Sequence, residues 1–106
     1  MTAPAYSTSV DSDAYEPFEA GVVNWLRQDD DVAAGIWVCR PEEQPGIHEA
    51  EFEKNETIYI IEGRVRVEIV GGETYELGPG DSAAFVKGTV GRWKVLEAVK
   101  EFFVYS

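Results

Sequence analysis

The sequence predicts an all-β fold that closes into one small barrel. Short runs rich in β-branched and aromatic residues recur along the chain, and turn residues separate them at spacings of about 8–12 residues. No stretch has the 3.6-residue apolar period of an amphipathic helix. With 106 residues, of which 44% are hydrophobic, the chain can bury one core but not two. We therefore expect a single domain.

The N-terminal part of the chain has the composition of a mobile arm. Residues 1–17 are rich in Ala, Ser, Thr, Pro and Asp. We expect them to be flexible, or to form a strand only against a partner. The barrel domain is then predicted to cover residues 18–106.

Two strands open the predicted barrel. Residues 22–26 and 34–40 are rich in Val, Ile and Trp, which favour strands. The three consecutive aspartates at 29–31 indicate a turn between them. Proline cannot donate to a β-ladder, so Pro41 ends the second strand, and a loop over residues 42–46 follows.

The next part of the chain predicts two strands that meet at a glycine. Residues 56–62 form the first strand, and Gly63 breaks it. Residues 64–70 form the second strand, where apolar and charged residues alternate. This alternation gives the second strand one apolar face.

Two glycine-rich turns divide the rest of the chain. Gly71-Gly72 predicts a two-residue hairpin turn, because both positions can take a positive φ. The sequence Gly78-Pro79-Gly80-Asp81 predicts a type II turn, which favours proline second and requires glycine third. The remaining strands are predicted at residues 73–77, 82–86, 92–96 and 99–105.

The composition excludes several classes of function. A net charge of −11 would repel nucleic acid and anionic membranes, and no basic stripe offsets the repulsion. Cys39 is the single cysteine, so no disulfide can form within the chain. No segment is apolar and long enough to span a bilayer, and residues 1–12 lack the features of a signal peptide. We expect a cytoplasmic protein that binds neither nucleic acid nor membranes.

Four stretches of the sequence together resemble a small single-domain cupin. They are residues 34–37, 55–67, 80–81 and 91–99, and the likeness covers most of the chain after Val22. The subgroup is catalogued as a domain of unknown function and includes ureidoglycine aminohydrolases and ethanolamine-utilisation cupins. The resemblance implies a jelly-roll β-barrel and a homodimer, in which the N-terminal arm could pair with a neighbour's edge strand.

The first metal-binding motif of the cupins lacks its histidines in this chain. In metal-dependent members the motif is His-x-His, three or four residues, and then Glu. Glu56 matches the glutamate. Counting back from it gives either Ala50 and Phe52 or Glu49 and Glu51.

The second motif lacks its histidine as well, since that position is Ala83. His48 is the only histidine of the chain, so a three-histidine site cannot form. We expect no cofactor. A divalent metal (Mn, Fe, Ni or Zn) held by Glu56, His48 and waters is not excluded.

The alternation around the first motif leaves two interpretations of the barrel mouth. If Glu49 and Glu51 pointed inward with Glu56, the three carboxylates would suit Mg²⁺, Ca²⁺ or Mn²⁺. If Ala50 and Phe52 point inward, the pocket is apolar. Burial of the apolar pair costs less free energy, so we favour an apolar pocket with Glu56 as its main polar group.

Glu56 and His48 are the candidate catalytic residues. Glu56 could act as an acid, a base or a ligand because of its place in the family motif. His48 could be a general base, although a solvated loop histidine is favoured. Arg92 could bind a carboxylate ligand, although a surface salt bridge is favoured. The predicted pocket residues are Trp37, Ala50, Phe52, Ile58, Ala83, Phe85, Arg92 and Trp93.

Two functional hypotheses follow. The first is a barrel that binds a small polar or carboxylate metabolite, with or without aminohydrolase-, lyase- or isomerase-like activity. The second is a non-catalytic dimerisation module whose barrel is filled by Phe52, Phe85 and Trp93. An open pocket would exclude the second hypothesis in this form.

Overall fold

The computed structural model describes residues 5–106 as eight antiparallel strands and one short 3-10 turn, Pro41–Glu43. This is the predicted all-β class. The strands are β1 (Glu16–Pro17), β2 (Val22–Gln28), β3 (Ala33–Cys39), β4 (His48–Glu51), β5 (Glu56–Ile69), β6 (Thr74–Leu77), β7 (Ser82–Phe85) and β8 (Val90–Tyr105).

Two long strands, β5 and β8, form the centre of one eight-stranded sheet. They pair with each other from Glu56 opposite Tyr105 to Ile69 opposite Gly91. The C-terminal half of β8 also pairs with β3, and the N-terminal half of β5 pairs with β7. The other halves pair with β4 and β6. Each long strand therefore has different partners along its two halves, as in a jelly roll.

Gly63 bends β5 and does not end it as predicted. Its φ is +81°, and a Cβ at this position would overlap the carbonyl oxygen of Ala98 on β8. The register with β8 shifts between Ile60 and Val65, which is a bulged region. Because pairing with β8 resumes after the bulge, the predicted strands 56–62 and 64–70 are one strand.

The predicted break between residues 96 and 99 is also absent, because β8 runs through it. Residues 92–96 and 99–105 belong to one strand of 16 residues. Its ladder with β5 runs from Gly91 to Tyr105 and is interrupted only by the bulge opposite Gly63, and no proline or positive-φ glycine falls inside β8. Pairing on both sides of the bulge therefore keeps residues 92–105 in one strand.

One glycine turn forms as predicted and the other is shifted. The Asp81 N–H donates to the Gly78 carbonyl oxygen at 2.9 Å, and Gly80 has φ +89°, as a type II turn requires. In the β5–β6 hairpin the Gly72 N–H donates to the Ile69 carbonyl oxygen at 2.8 Å. Only Gly71 of the glycine pair has a positive φ, so the turn is centred one residue earlier than predicted.

The described part of the N-terminal arm contacts its own barrel. β1 pairs with β2, the Asn24 Nδ2 donates to the Thr8 Oγ1 at 2.8 Å, and the Lys100 Nζ donates to the Val10 carbonyl oxygen at 2.9 Å. A strand thus forms here without a second chain. Residues 1–4 of the arm lie outside the described residues, and the division at residue 17 stays a prediction.

A single core lies inside the barrel. On β5 its members are two residues apart on each side of the bulge (Ile58 and Ile60, then Val65 and Val67), and on β8 they are four residues apart (Val95, Val99 and Phe103). The fully buried ones are Val23, Cys39, Ile58, Ile60, Val65, Val67 and Val99. Within residues 5–106, no helix is long and apolar enough to cross a membrane.

Candidate functional site

The barrel opens into a cavity of about 660 Å³. Trp25 of β2, Trp37 of β3 and Trp93 of β8 line it, and these are all three tryptophans of the chain. Phe103 packs edge-to-face on Trp25, with ring centroids 5.6 Å apart. The indole of Trp37 is fixed because its Nε1–H donates to the Ala20 carbonyl oxygen at 2.7 Å. Aromatic side chains therefore form a substantial part of the walls.

A buried glutamate, Glu101, faces this cavity from the middle of the sheet. In register, it lies between Trp37 of β3 and Ile60 of β5. Only 3% of its surface is exposed, and it lines the cavity. Its Oε1 has no hydrogen-bond partner among the described residues. A buried polar atom without a partner is costly, so it calls for an explanation.

Glu56 provides a second carboxyl group to the same cavity. It lies at the start of β5, opposite Tyr105 of β8. Burial raises the pKa of Glu56 to about 7. Burial also raises the pKa of Glu101 well above its usual range, and the nearby charge of Glu56 raises that pKa further. The two groups would lie in one poorly solvated space, which disfavours their charged forms.

Burial favours the protonated forms of both carboxyl groups. With a pKa of about 7, Glu56 is divided between its two forms near neutral pH, and the pKa of Glu101 is raised well above its usual range. Burial, with the charges of Glu56 and Glu101, also raises the pKa of Tyr105. A protonated carboxyl group can donate a hydrogen bond or a proton as well as accept one.

The rest of the lining is acidic. Among the described residues that line the cavity, four more carboxylates are exposed and one lysine, Lys54, opposes them. His48 is the other titratable base of the lining, on the exposed strand β4. The four carboxylates are Glu19, Asp29, Glu51 and Glu53.

Two aromatic rings, Phe52 and Trp93, close one end of the cavity. Phe85 packs behind them and is not part of the lining. Phe52 stacks on Phe85 with centroids 4.8 Å apart and planes 5° apart. Trp93 packs on both rings, at 5.5 Å from Phe85 and 6.2 Å from Phe52. The cluster of three rings leaves the cavity open.

The sequence relationship is decided by a match along most of the chain. The family model described as the EutQ-like cupin domain matches residues 26–103. The chain is an EutQ-like cupin. A protein of the DUF861 family from Thermotoga maritima is 37% identical, with 64% of this chain and 73% of that chain covered and a TM-score of 0.56. No curated protein matches the sequence.

Solved cupins share the fold at lower sequence identity. EutQ from Salmonella typhimurium is 18% identical over 99% of this cupin and 96% of that chain, with a TM-score of 0.70. Ectoine synthase from P. lautus is 20% identical over 92% and 71%, with a TM-score of 0.71. This cupin spans 65% of the length of EutQ from Clostridium difficile. The predicted relation to ureidoglycine aminohydrolases stays a prediction.

Six of the sequence-predicted residues lie together in the cupin cavity. They are Trp37, His48, Ala50, Phe52, Glu56 and Trp93. His48 and Ala50 lie on exposed β4 at the mouth, whereas Phe52 is buried. Of the two alternatives for the first motif, the structure buries Phe52, as favoured, but it also places Glu51 in the lining beside Ala50.

The remaining predicted pocket residues lie elsewhere. Ile58 is packed in the core, away from the lining, because the inner side of β5 is filled there. Ala83 and Phe85 line a separate groove of about 360 Å³ beside β7. Their prediction as walls of the ligand cavity is corrected, since β7 lies outside it.

Arg92 also lies outside the cavity. It precedes Trp93, and neighbouring residues of a strand point to opposite faces. Its Nε donates to the Glu49 Oε1 at 2.7 Å, and its Nη1 lies 3.5 Å from the Glu68 Oε1. All three side chains are substantially exposed. This is the surface salt bridge that the sequence favoured, and Glu49 therefore points away from the cavity.

Sequence reasoning missed Glu101, and it predicted a more apolar pocket than the structure has. The signal was present in the alternation of β8, where Val99, Glu101 and Phe103 occupy successive positions of one face. A glutamate in that series must be buried if its neighbours are. Trp25 and Tyr105 also line the cavity and were not predicted there.

The donor set does not match a cupin metal centre. Within the described residues, no group of three or more His, Cys, Asp and Glu side chains is arranged to hold a metal ion. Glu56 and His48 both line the cavity, so an ion held by fewer protein ligands is compatible with its chemistry. The binding and proton transfer proposed for this cavity do not require a metal ion.

Proposed function

We propose that this cupin binds a small polar metabolite in the barrel cavity, with Glu101 and Glu56 as its polar contacts. The carrying observation is the buried Glu101, whose side chain lines the cavity and whose Oε1 has no hydrogen-bond partner among the described residues. Leaving such an atom unpaired costs about 1–3 kcal/mol. A ligand that hydrogen-bonds this oxygen would remove the cost.

The cavity has the size and composition of a small-molecule site. Its volume of about 660 Å³ lies within the ordinary range for ligand pockets, roughly 300–1,000 Å³. Aromatic walls with a few convergent polar groups are typical of such sites. The alternative of a barrel filled by Phe52, Phe85 and Trp93 does not agree with an open cavity. The homodimer stays part of the proposal, since the resemblance alone supports it.

Proton transfer is the chemistry that this site could catalyse. A group with a pKa near the working pH is an efficient general acid or base, and burial gives Glu56 a pKa of about 7. Glu56 could take a proton from one atom of the ligand and return it to another, as isomerases and lyases require. His48 at the mouth could exchange that proton with solvent.

A carboxylate ligand is disfavoured within this proposal. Arg92, the residue considered for pairing with it, lies outside the cavity in exposed ion pairs. The acidic lining would repel an anion, and an anionic ligand would find no positively charged side chain beside Glu101. The proposed ligand is therefore a polar metabolite that is not an anion.

Tryptophan fluorescence tests the proposal directly, because all three tryptophans line the cavity. A library of small metabolites is screened by thermal shift, and each hit is titrated against the emission. We expect at least one ligand to raise the melting temperature and change the emission of the wild-type protein. Glu101→Gln should weaken its binding.

Glu97→Gln is the matched control, since Glu97 lies on the same strand and is exposed outside the cavity lining. This variant should bind like the wild type. Binding that is unaffected by Glu101→Gln, or a library without any ligand, would contradict the proposed function.

A further inference from the structure

The geometry points to the charge of the ligand. We propose that the cavity binds a small organic cation, a protonated amine whose ammonium group contacts the Glu101 and Glu56 carboxyls between the tryptophan faces. This inference rests on the proposed function, and it goes further by assigning the ligand a chemical class.

The charge distribution of the lining is the first argument. At the rim, Asp29 is paired with Arg27 at 2.6 Å, and the other three carboxylates face a single lysine among the described lining residues. The inner carboxyl groups add negative charge where they are ionised. A cleft lined by one sign of charge concentrates ligands of the opposite sign. The net charge of −11 acts in the same direction at longer range.

The aromatic walls are the second argument. Trp25, Trp37, Trp93 and Phe103 all face the cavity. A cation over the face of an aromatic ring is attracted by the ring quadrupole, and tryptophan is the strongest partner. Such walls would accept the apolar part of an amine as well as its charge.

The unpartnered Glu101 Oε1 is the third and most specific argument. A primary ammonium group has three N–H donors and no acceptor, so it can satisfy this oxygen and still reach a second carboxyl. A buried carboxylate becomes favourable when a cation pairs with it. Binding would then displace the carboxyl proton to solvent, while the amine keeps its own proton.

A metal cation fits this space less well. The described His, Cys, Asp and Glu side chains do not bring three ligands together, whereas an ammonium group needs only one or two acceptors and an apolar wall. The Glu101 Oε1 needs an N–H donor, which a primary ammonium group has and a quaternary ammonium group lacks. The site should therefore prefer the primary amine.

Four probes of similar size and different charge test the inference: n-butylammonium, tetramethylammonium, n-butanol and n-butyrate. Each is titrated into the full-length protein at pH 8 and constant ionic strength, with tryptophan emission as the signal. We expect n-butylammonium to bind at least about tenfold more tightly than n-butanol. Tetramethylammonium should be intermediate, because it can only use the aromatic faces, and n-butyrate should not bind.

Variants connect the preference to the buried carboxyl. Glu101→Gln keeps the shape of the side chain but cannot become an anion, so it should lose most of the preference for n-butylammonium over n-butanol. Glu97→Gln should keep it. Circular dichroism checks that each variant is folded.

The pH dependence gives an independent readout. Because a carboxyl proton must leave, n-butylammonium should bind more tightly at pH 8 than at pH 6. The other titratable groups that face the site are Glu19, Asp29, Glu51, Glu53, His48, Lys54 and Tyr105. His48→Gln should keep the pH dependence, and Glu101→Gln should reduce it.

The outcomes separate this inference from the proposed function. Equal binding of n-butanol and n-butylammonium, or a metabolite screen whose ligands are all neutral or anionic, would overturn the cationic class and leave a binding barrel. A preference that survives in Glu101→Gln would also overturn it. The absence of any ligand would overturn both.

Discussion

The two halves of β8 place charged residues in opposite environments. In the N-terminal half, Arg92 is exposed and pairs with Glu49 and Glu68 on the neighbouring strands. In the C-terminal half, Glu101 is buried, and no cation pairs with it among the described residues. Exposed ion pairs contribute little to stability, whereas a buried and unpaired carboxyl opposes folding. The outer pairs lie on the surface, and the contrast supports the proposal that the inner carboxyl contacts a ligand.

The bend in β5 at Gly63 lets the β5–β8 pair carry both the exposed ion pairs and the buried carboxyl. A substitution that disturbs this bend should have the largest effect on stability. A Cβ at Gly63 would overlap the Ala98 carbonyl oxygen, and its φ of +81° disfavours other residues. We expect Gly63→Ala to lower the free energy of unfolding by at least about 3 kcal/mol, as measured by urea denaturation.

Gly71→Ala is the control for the backbone conformation alone. Gly71 has a similar φ of +80°, but a Cβ there would meet nothing within 4 Å. This substitution should cost about 1 kcal/mol. Equal losses for the two variants would show that the contact with Ala98 does not matter.

The titration of Glu56 should give the next largest effect. Its folded pKa of about 7 exceeds the ordinary value of 4.5, so the folded state keeps a proton that the unfolded state loses between these values. The stabilisation is therefore complete below pH 4.5 and is lost as the pH rises through 7. The loss amounts to roughly 3 kcal/mol.

Glu56→Gln removes the titrating group and therefore the pH-dependent part of the stability that Glu56 contributes. The difference in free energy of unfolding between variant and wild type should shift in favour of the variant from pH 5 to pH 8. Urea denaturation at both values measures it. A difference that stays constant with pH would mean that Glu56 is solvated.

Removing the buried acid should stabilise the protein by a smaller amount. Because the pKa of Glu101 is raised by burial, the ionised form is disfavoured at pH 8 in the folded state. We expect Glu101→Gln to raise the free energy of unfolding at pH 8 by about 1–2 kcal/mol, while it weakens ligand binding. A loss of stability at pH 8 would indicate that Glu101 has a structural partner.

The outer ion pairs should give the smallest effect. Arg92→Met removes the contacts with Glu49 and Glu68, which are exposed. The melting temperature should change less than in Glu101→Gln, and the change should shrink at high salt. A ligand identified with the wild type should bind equally well. Weaker binding would restore Arg92 as a ligand contact.

Local patterns explain which parts of the fold were predictable. The type II turn at Gly78 to Asp81 was found because proline and glycine each have one conformational role there. The strand breaks at Gly63 and at residues 97–98 were wrong. Pairing between β5 and β8 carries both strands through these positions, and a local pattern does not contain the partner strand.

The sequence by itself determined the all-β class, the cupin resemblance, the lack of a three-histidine site and the inward position of Phe52. These follow from period-2 alternation, turn chemistry and residue counts, which need no long-range information. The tertiary structure decided that Arg92 lies outside and that Glu101 meets Glu56 in one cavity. The curvature of β5 and β8 brings distant residues together, and burial there raises the pKa of a carboxyl that the sequence presents as an ordinary acid.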